Sequence, residues 1–213
     1  MGFFSNLFKS KEERARDEIF ERINKLLNDD ATQISAMLPI FGEKLNRKHI
    51  DMYPNATGEF GRCPENPIPC NGPLGEITYL SRLVVKTNAS LTPITFHRIG
   101  TTENSITGHD IDIYEIIDYS GYIYESLYLD FYNTTKSRIC PKGYVLQDEC
   151  IGFRGINQFN ADFPYNQYKM TQEYATKFLG VAIVDTDLKN MNYEQGQKMM
   201  KCIKKNHAKI KWW

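Results

Sequence analysis

The chain has 213 residues, enough to bury a core without disulfides or metals, and Lys plus Arg (26) balances Asp plus Glu (26). A zero formal charge leaves no global field to draw the protein onto nucleic acid, so charge arguments are local. No run of eighteen apolar residues occurs, so no transmembrane segment is expected. Thirteen Tyr and twelve Phe favour strands and amphipathic contact faces.

The N-terminus, Met1-Gly-Phe-Phe-Ser-Asn-Leu-Phe-Lys, lacks a long apolar stretch and a small-residue cleavage site. Export is therefore not expected, the sequons at Asn55, Asn88 and Asn133 read as chance matches, and five cysteines read as reduced thiols in a cytoplasm. Phe3, Phe4, Leu7 and Phe8 beside Lys9 and Lys11 form a small apolar patch that either packs on the domain or touches a membrane surface.

Ser10 and Glu13 spell a capping box, after which Ile19, Ile23, Leu26 and Leu27 recur at helical spacing. Asp29 and Asp30 end that helix and cap a short second one before Pro39. Residues 1–40 thus form an N-terminal helical region, followed by an α+β domain over 41–213, with one compact unit expected overall. From Phe41 to Gly75 the pattern breaks into Gly, Pro and Asn, a long loop. Within it, Asn66 to Gly75 holds three prolines and two glycines, a backbone specified residue by residue and expected at the sheet edge.

Strands are predicted over Ile77–Lys86, Pro93–Ile99, Asp110–Asp118 and Tyr122–Tyr132, with a short fifth through Tyr144-Val-Leu. In the fourth, Ile123, Leu127, Leu129 and Phe131 alternate with Tyr122, Tyr124, Tyr128 and Tyr132, so one face is core and the other is lined with phenols. Thr171 is expected to cap a helix closed by Gly180, Val181–Val184 to form a short buried strand or an extended core segment, and Asn192 with Gln195 to open a last helix carrying Met199 and Ile203. The expected fold is α+β, an antiparallel sheet of about four to six strands with the N- and C-terminal helices on one face.

The run Asn66-Pro-Ile-Pro, Asn71-Gly-Pro, Gly75-Glu and Tyr79-Leu-Ser-Arg82, with Phe96-His-Arg-Ile-Gly100, Gly108-His-Asp-Ile-Asp112 and Tyr128-Leu-Asp-Phe-Tyr132, resembles an uncharacterised bacterial protein family, a domain of unknown function. The likeness spans roughly residues 53 to 165 and implies a bacterial, cytoplasmic setting but no chemistry. In that pattern the positions of Cys70 and Cys140 are not usually cysteine.

Three clusters are candidates for chemistry. Cys63, Cys70, Cys140 and Cys150 on two loops could hold a tetrahedral zinc, but C-x6-C and C-x9-C are wider than a zinc knuckle, and ordinary half-buried thiols are the expectation. His97, His109, Asp110 and Asp112, with Asp130, could converge at one sheet end for metal-assisted hydrolysis or small-ligand binding; alternatively they are satisfied strand residues. Arg82, Arg98, Lys136 and Arg138 are the third set; Lys136 and Arg138 follow the Tyr-rich strand and could clamp an anion or an acidic partner, though singly such charges usually sit on a solvated face. No phosphate-loop, dinucleotide or nucleophile-elbow motif occurs. The C-terminus is basic through Lys198, Lys201, Lys204, Lys205, Lys209 and Lys211 and ends in Trp212-Trp213. It reads either as helix-end lysines balancing the dipole or as a membrane foot; nucleic acid is not expected.

The leading expectation is a non-enzymatic protein-interaction domain, immunity-type or regulatory, with no cofactor. It would dock an unknown protein partner through Tyr122, Tyr124, Tyr128, Tyr132, Lys136 and Arg138. The alternatives are the hydrolase or ligand site and a peripheral membrane protein.

Overall fold

The structure, a computed structural model, describes residues 9–88 and 90–209. The apolar patch at Phe3, Phe4, Leu7 and Phe8, and the terminal Lys211, Trp212 and Trp213, lie outside the described residues.

Helix α1 (Lys11–Asn28) begins at the expected box: the Ser10 hydroxyl accepts from the Glu13 N–H at 3.1 Å, and the Glu13 carboxylate accepts from the Ser10 N–H at 2.7 Å. Leu27 is its buried residue, and Ile23 and Leu26 pack half-buried against the core beside it. Asp29 caps α2 (Asp30–Ile34) by accepting from the Thr32 N–H, and α3 (Leu38–Phe41) takes Pro39 in its first turn, where a missing N–H goes unneeded.

The proline-rich segment departs most from expectation. The segment lies at the sheet edge, as expected, but Asn66 to Gly72 are all buried, so it is a wall of the core with a short strand in it rather than a plain loop. Ile68 and Pro69 form β1 (Ile68–Pro69), parallel to the end of the tyrosine-rich strand, and the Cys70 and Gly72 N–H groups continue the ladder to the Asp130 and Phe131 carbonyls. The chain then turns at Gly72 into α4 (Gly72–Arg82), and only Leu83–Lys86 is strand, β2. The strand expected over Ile77–Lys86 is therefore helical as far as Arg82. Gly75 to Ser81 are buried on every side, which erases the polar face that would have marked a helix period. Pro73 in the first turn was the decisive local signal. Gly75 has a packing role: a Cβ there would lie 2.0 Å from the Asn71 Oδ1.

The sheet has seven strands, with β3 (Leu91–Glu103), β4 (Asp110–Asp118), β5 (Tyr124–Asp130), β6 (Tyr144–Leu146) and β7 (Gly155–Ile156) joining β1 and β2. The order is β1-β5-β4-β3-β2-β6, with β7 beside β3. Most pairs are antiparallel; β1 with β5 and β3 with β7 are parallel. Strand β3 is the pivot. Its first residues pair with β2, and Ile94 to Glu103 pair with β4 on the other edge.

Helix α5 (Gln167–Leu179) starts at Asn166, ahead of the expected cap, and buries Thr171 inside it, where its hydroxyl accepts from the Gln167 Nε2 at 3.0 Å. It closes at Gly180, as expected. Residues 181–184 are an extended segment rather than a strand: Val181 and Ile183 pack against the core, and Val184 bridges to Phe153. After α6 (Thr186–Lys189), α7 (Tyr193–His207) opens with the expected Asn192 and Gln195 box.

Two apolar clusters fill the two sides of the sheet. Ile116 packs with Phe96, Tyr114, Ile77 and Leu27, whereas its neighbour Ile117 packs with Leu188, Met199 and Ile203. Adjacent strand residues point to opposite faces. The terminal helices thus lie on opposite faces: α1 and α4 on one, α6 and α7 on the other.

Candidate functional site

Within the histidine and carboxylate set, His97 stands apart, while His109, Asp110, Asp112 and Asp130 lie toward one end of the sheet. His97 stands opposite Glu115, whereas Asp110 stands opposite Glu103, six positions further along β3. At about 3.3 Å per residue that is roughly 20 Å. His97 is buried and stacks on Phe163 at 4.1 Å. Its Nδ1 accepts from the Asn160 N–H at 3.1 Å, which assigns the proton to Nε2, 2.7 Å from Glu115 Oε2. His109 tilts over the Tyr132 ring at 4.4 Å. Asp130 is fully buried and accepts from the Tyr53 hydroxyl at 2.8 Å, the Asn104 Nδ2 at 3.2 Å and the Tyr132 N–H at 2.9 Å. Its acceptor capacity is spent on folding.

The four thiols Cys63, Cys70, Cys140 and Cys150 are free. Cys63 approaches the Thr57 carbonyl at 3.3 Å, Cys140 the Tyr144 carbonyl at 3.3 Å, and Cys150 the Gly152 carbonyl at 3.5 Å. Burial raises the Cys70 thiol well above its usual range and Cys150 to about 11, the reverse of what a thiolate ligand needs. Among the described residues, no group of three or more His, Cys, Asp or Glu side chains is arranged to hold a metal.

Polar residues of the quoted motifs do converge, but inside the fold. Glu76 on α4 is 0 % exposed and Asp112 on β4 is 3 % exposed. Glu76 Oε2 accepts from the Tyr114 hydroxyl at 2.9 Å, and Arg98 Nε lies 2.7 Å from Asp112 Oδ2, close enough for charge pairing although its N–H is not aligned as a hydrogen bond. Glu76 Oε1 and Asp112 Oδ1 receive no donor from a third group. Protonation of Glu76 would give the two carboxyls a hydrogen bond to share. Burial, then the charge of Asp112, push Glu76 well above the usual carboxyl range, and the bond to Asp112 adds to that. Burial also raises Asp112, against the pull of Arg98. Glu76 is therefore the acid and Asp112 the carboxylate of a coupled pair. Closed off from solvent, it offers no substrate a place to sit. Glu76 was legible only as a carboxylate inside the otherwise uncharged run Ile77-Thr-Tyr-Leu that follows it.

A second polar cluster underlies α7. Glu115 Oε1 accepts from the Tyr124 hydroxyl and lies 3.0 Å from His207 Nε2. Burial works to raise the Glu115 carboxyl, but hydrogen bonds from His97, Tyr124 and His207 outweigh it and hold the group at about 2.

The phenol row is uneven. Tyr122 is 77 % exposed, whereas Tyr124 is half-buried beneath His207, and Tyr128 and Tyr132 are half-buried. Tyr132 stacks on Phe131 at 4.3 Å. Lys136 is no surface clamp: it is buried, and its Nζ bonds Asp30 Oδ1 at 2.6 Å and Gln33 Oε1. An ammonium taken out of water needs such partners, so it ties α2 to the chain after β5. Arg138 is exposed and grips Asp51 through Nε and Nη2 at 3.3 and 3.0 Å.

Open concave surface lies on both flanks of α7, and also along α1 (about 520 Å³), between α1 and Cys150-Ile151 (about 360 Å³) and beside Arg154 and Asp185 (about 380 Å³). One cleft of about 300 Å³ is lined by Pro164, Tyr165, Tyr168, Met191, Tyr193 and Gly196 among others. A Cβ on Gly196 would meet the Tyr165 ring at 3.0 Å, so the bare glycine lets that ring lie close to the helix. A second groove, about 240 Å³, is lined by Gly121, Tyr122, Lys198, Lys201, Cys202 and Lys205. Gly121 (φ +72°) has no room for a Cβ, which would sit 2.7 Å from the Met199 nitrogen, so the β4–β5 turn is pressed against α7. Composition hinted at this lysine-rich helix, but the pairing of its two flanks with Tyr122 and Tyr165 is tertiary. No protein-family model matches the chain, and neither does any curated protein or solved structure.

Proposed function

We propose that this chain is a non-enzymatic protein-interaction domain that docks a protein partner across α7, as an immunity-type or regulatory binder. One observation carries the reading. Tyr122, Tyr193 and Tyr165, exposed by 77 %, 76 % and 49 %, border one helix beside two grooves. Tyrosine offers wide contact area at small entropic cost, with a hydroxyl for orientation. The sealed Glu76–Asp112 pair and the separation of His97 from His109 weigh against a hydrolase. No described helix is long and apolar enough to cross a membrane. The five free thiols and the motif resemblance favour a bacterial cytoplasm as the setting.

The test is capture of a stoichiometric partner from bacterial lysate by the wild-type chain, repeated with the double variant Tyr165→Ala, Tyr193→Ala. The partner should be lost from the variant while the thermal unfolding curve stays within a few degrees. Equal capture by both proteins would remove this surface from the interface.

A further inference from the structure

We infer that the groove between Tyr122 and α7 takes an acidic segment of a protein partner, its carboxylates paired with Lys198, Lys201 and Lys205. The inference rests on the docking reading above and names the chemistry of what docks.

Charge complementarity is the ground. The three lysines occupy positions i, i+3 and i+7 of α7, one stripe of a helix, and all are exposed. Over seven residues the stripe spans about 10 Å, the span of three or four residues of an extended peptide. Lys198 meets Glu194 at 3.5 Å, an exposed pair of small worth. Among the described residues, Lys201 and Lys205 have no acidic partner. Glu194 lies in the first turn of α7, and every charged residue after it in the helix is basic.

The groove has a fixed wall as well as a charge. Gly121 lies against the helix backbone, and the Cys202 thiol reaches the Tyr122 carbonyl at 3.4 Å, so the Tyr122 ring stands beside the lysines on a braced turn. A carboxylate-bearing chain can lie along the stripe with an apolar side chain against that ring. A nucleic-acid backbone calls for a broader phosphate-binding footprint than one file of lysines in a chain of zero net charge. A lipid surface would want several apolar anchors beside the charges, where this groove has one ring.

The experiment is fluorescence anisotropy of the full chain with a fluorescein-labelled decaglutamate peptide, in about 50 mM and about 300 mM salt. It is repeated with a twelve-nucleotide single strand and with phosphatidylserine vesicles. Binding of the peptide is expected at low salt and should weaken several-fold at high salt, as exposed charges do when screened. The triple variant Lys198→Ala, Lys201→Ala, Lys205→Ala should bind about tenfold more weakly, which is about 1.4 kcal/mol. Carbodiimide coupling of the bound peptide, mapped by mass spectrometry, should fall on Lys198, Lys201 or Lys205. No peptide binding at low salt, equal binding by the triple variant, coupling mainly elsewhere, or stronger binding to the oligonucleotide or vesicles would each overturn the inference. The triple lysine variant is kept apart from Tyr165→Ala, Tyr193→Ala. A captured partner that depends on the tyrosines but not on the lysines sinks the acidic segment and leaves the docking reading standing.

Discussion

Replacing Glu76 with glutamine tests the proton-sharing pair directly. The substituted amide can accept from the Tyr114 hydroxyl and donate to Asp112, so the geometry of the protonated acid is kept. The effect then lies in the pH dependence. Burial and the neighbouring Asp112 raise the folded-state pKa of Glu76 above its ordinary 4.5. A raised pKa means that the group's full contribution to stability is present below about pH 4.5. It is lost as pH climbs toward the folded value, at about 1.4 kcal/mol per pH unit, because the unfolded chain ionises and the native one does not. Glutamine has no proton to lose. The variant should match wild type near pH 4.5 and gain on it by about 1.4 kcal/mol for each of the first pH units above. For a chain of this size that is roughly 3 to 6 °C in Tm per unit. Urea unfolding of both proteins at pH 4.5, 5.5 and 6.5 reads this out. Parallel stability curves, or a variant that falls further behind as pH rises, would mean that Glu76 is not protonated in the fold.

Two other substitutions probe the frame around the docking helix and the core. Glu115→Gln reverses the sign. Its folded pKa of about 2 lies below the ordinary value, so its stabilisation is present above about pH 4.5 and lost as pH falls toward 2. The variant should be less stable by about 1 to 3 kcal/mol at pH 7 and level with wild type near pH 2, by urea titration at both. Gly75→Ala pushes a methyl onto the Asn71 Oδ1, 2.0 Å away, and should cost about 1 to 3 kcal/mol in thermal unfolding; an unchanged midpoint would mean that Asn71 moves aside freely.

The sequence was most legible where local chemistry decided structure. The Ser10–Glu13 and Asn192–Gln195 boxes, the Gly180 stop and the span of β4 all follow from residues within one turn or one strand. It was least legible where burial removed the signal. Residues 77–82 read as strand because a helix buried all round shows no polar face. Lys136 read as a surface charge because nothing near it in sequence announces Asp30 and Gln33, more than a hundred residues earlier. Tyr124 and Tyr122 are equivalent by alternation on one strand. They part because Tyr122 falls in the β4–β5 turn, ahead of the strand, and because α7 returns from the far end of the chain and lays His207 over Tyr124.

That last contrast bears on the site itself. Alternation along β5 sorts side chains by face, but the face was counted as solvent because the last helix was expected on the other side. Once α7 packs on that face through Met199 and Ile203, Tyr124 becomes part of its bed, while the turn residue Tyr122 stays open. The proposed docking surface therefore moves from the sheet to the helix covering it. Its new members, Tyr165, Tyr193 and the lysine stripe, come from segments with no periodic link to β5. Helix α7 both touches a polar cluster through His207 and presents lysines outward, so loosening the Glu115 contact should free the end of the stripe nearest Lys205. Glu115→Gln should accordingly weaken binding of the acidic peptide as well as stability. A variant that loses stability yet binds decaglutamate as tightly as wild type would show that the two ends of α7 act independently.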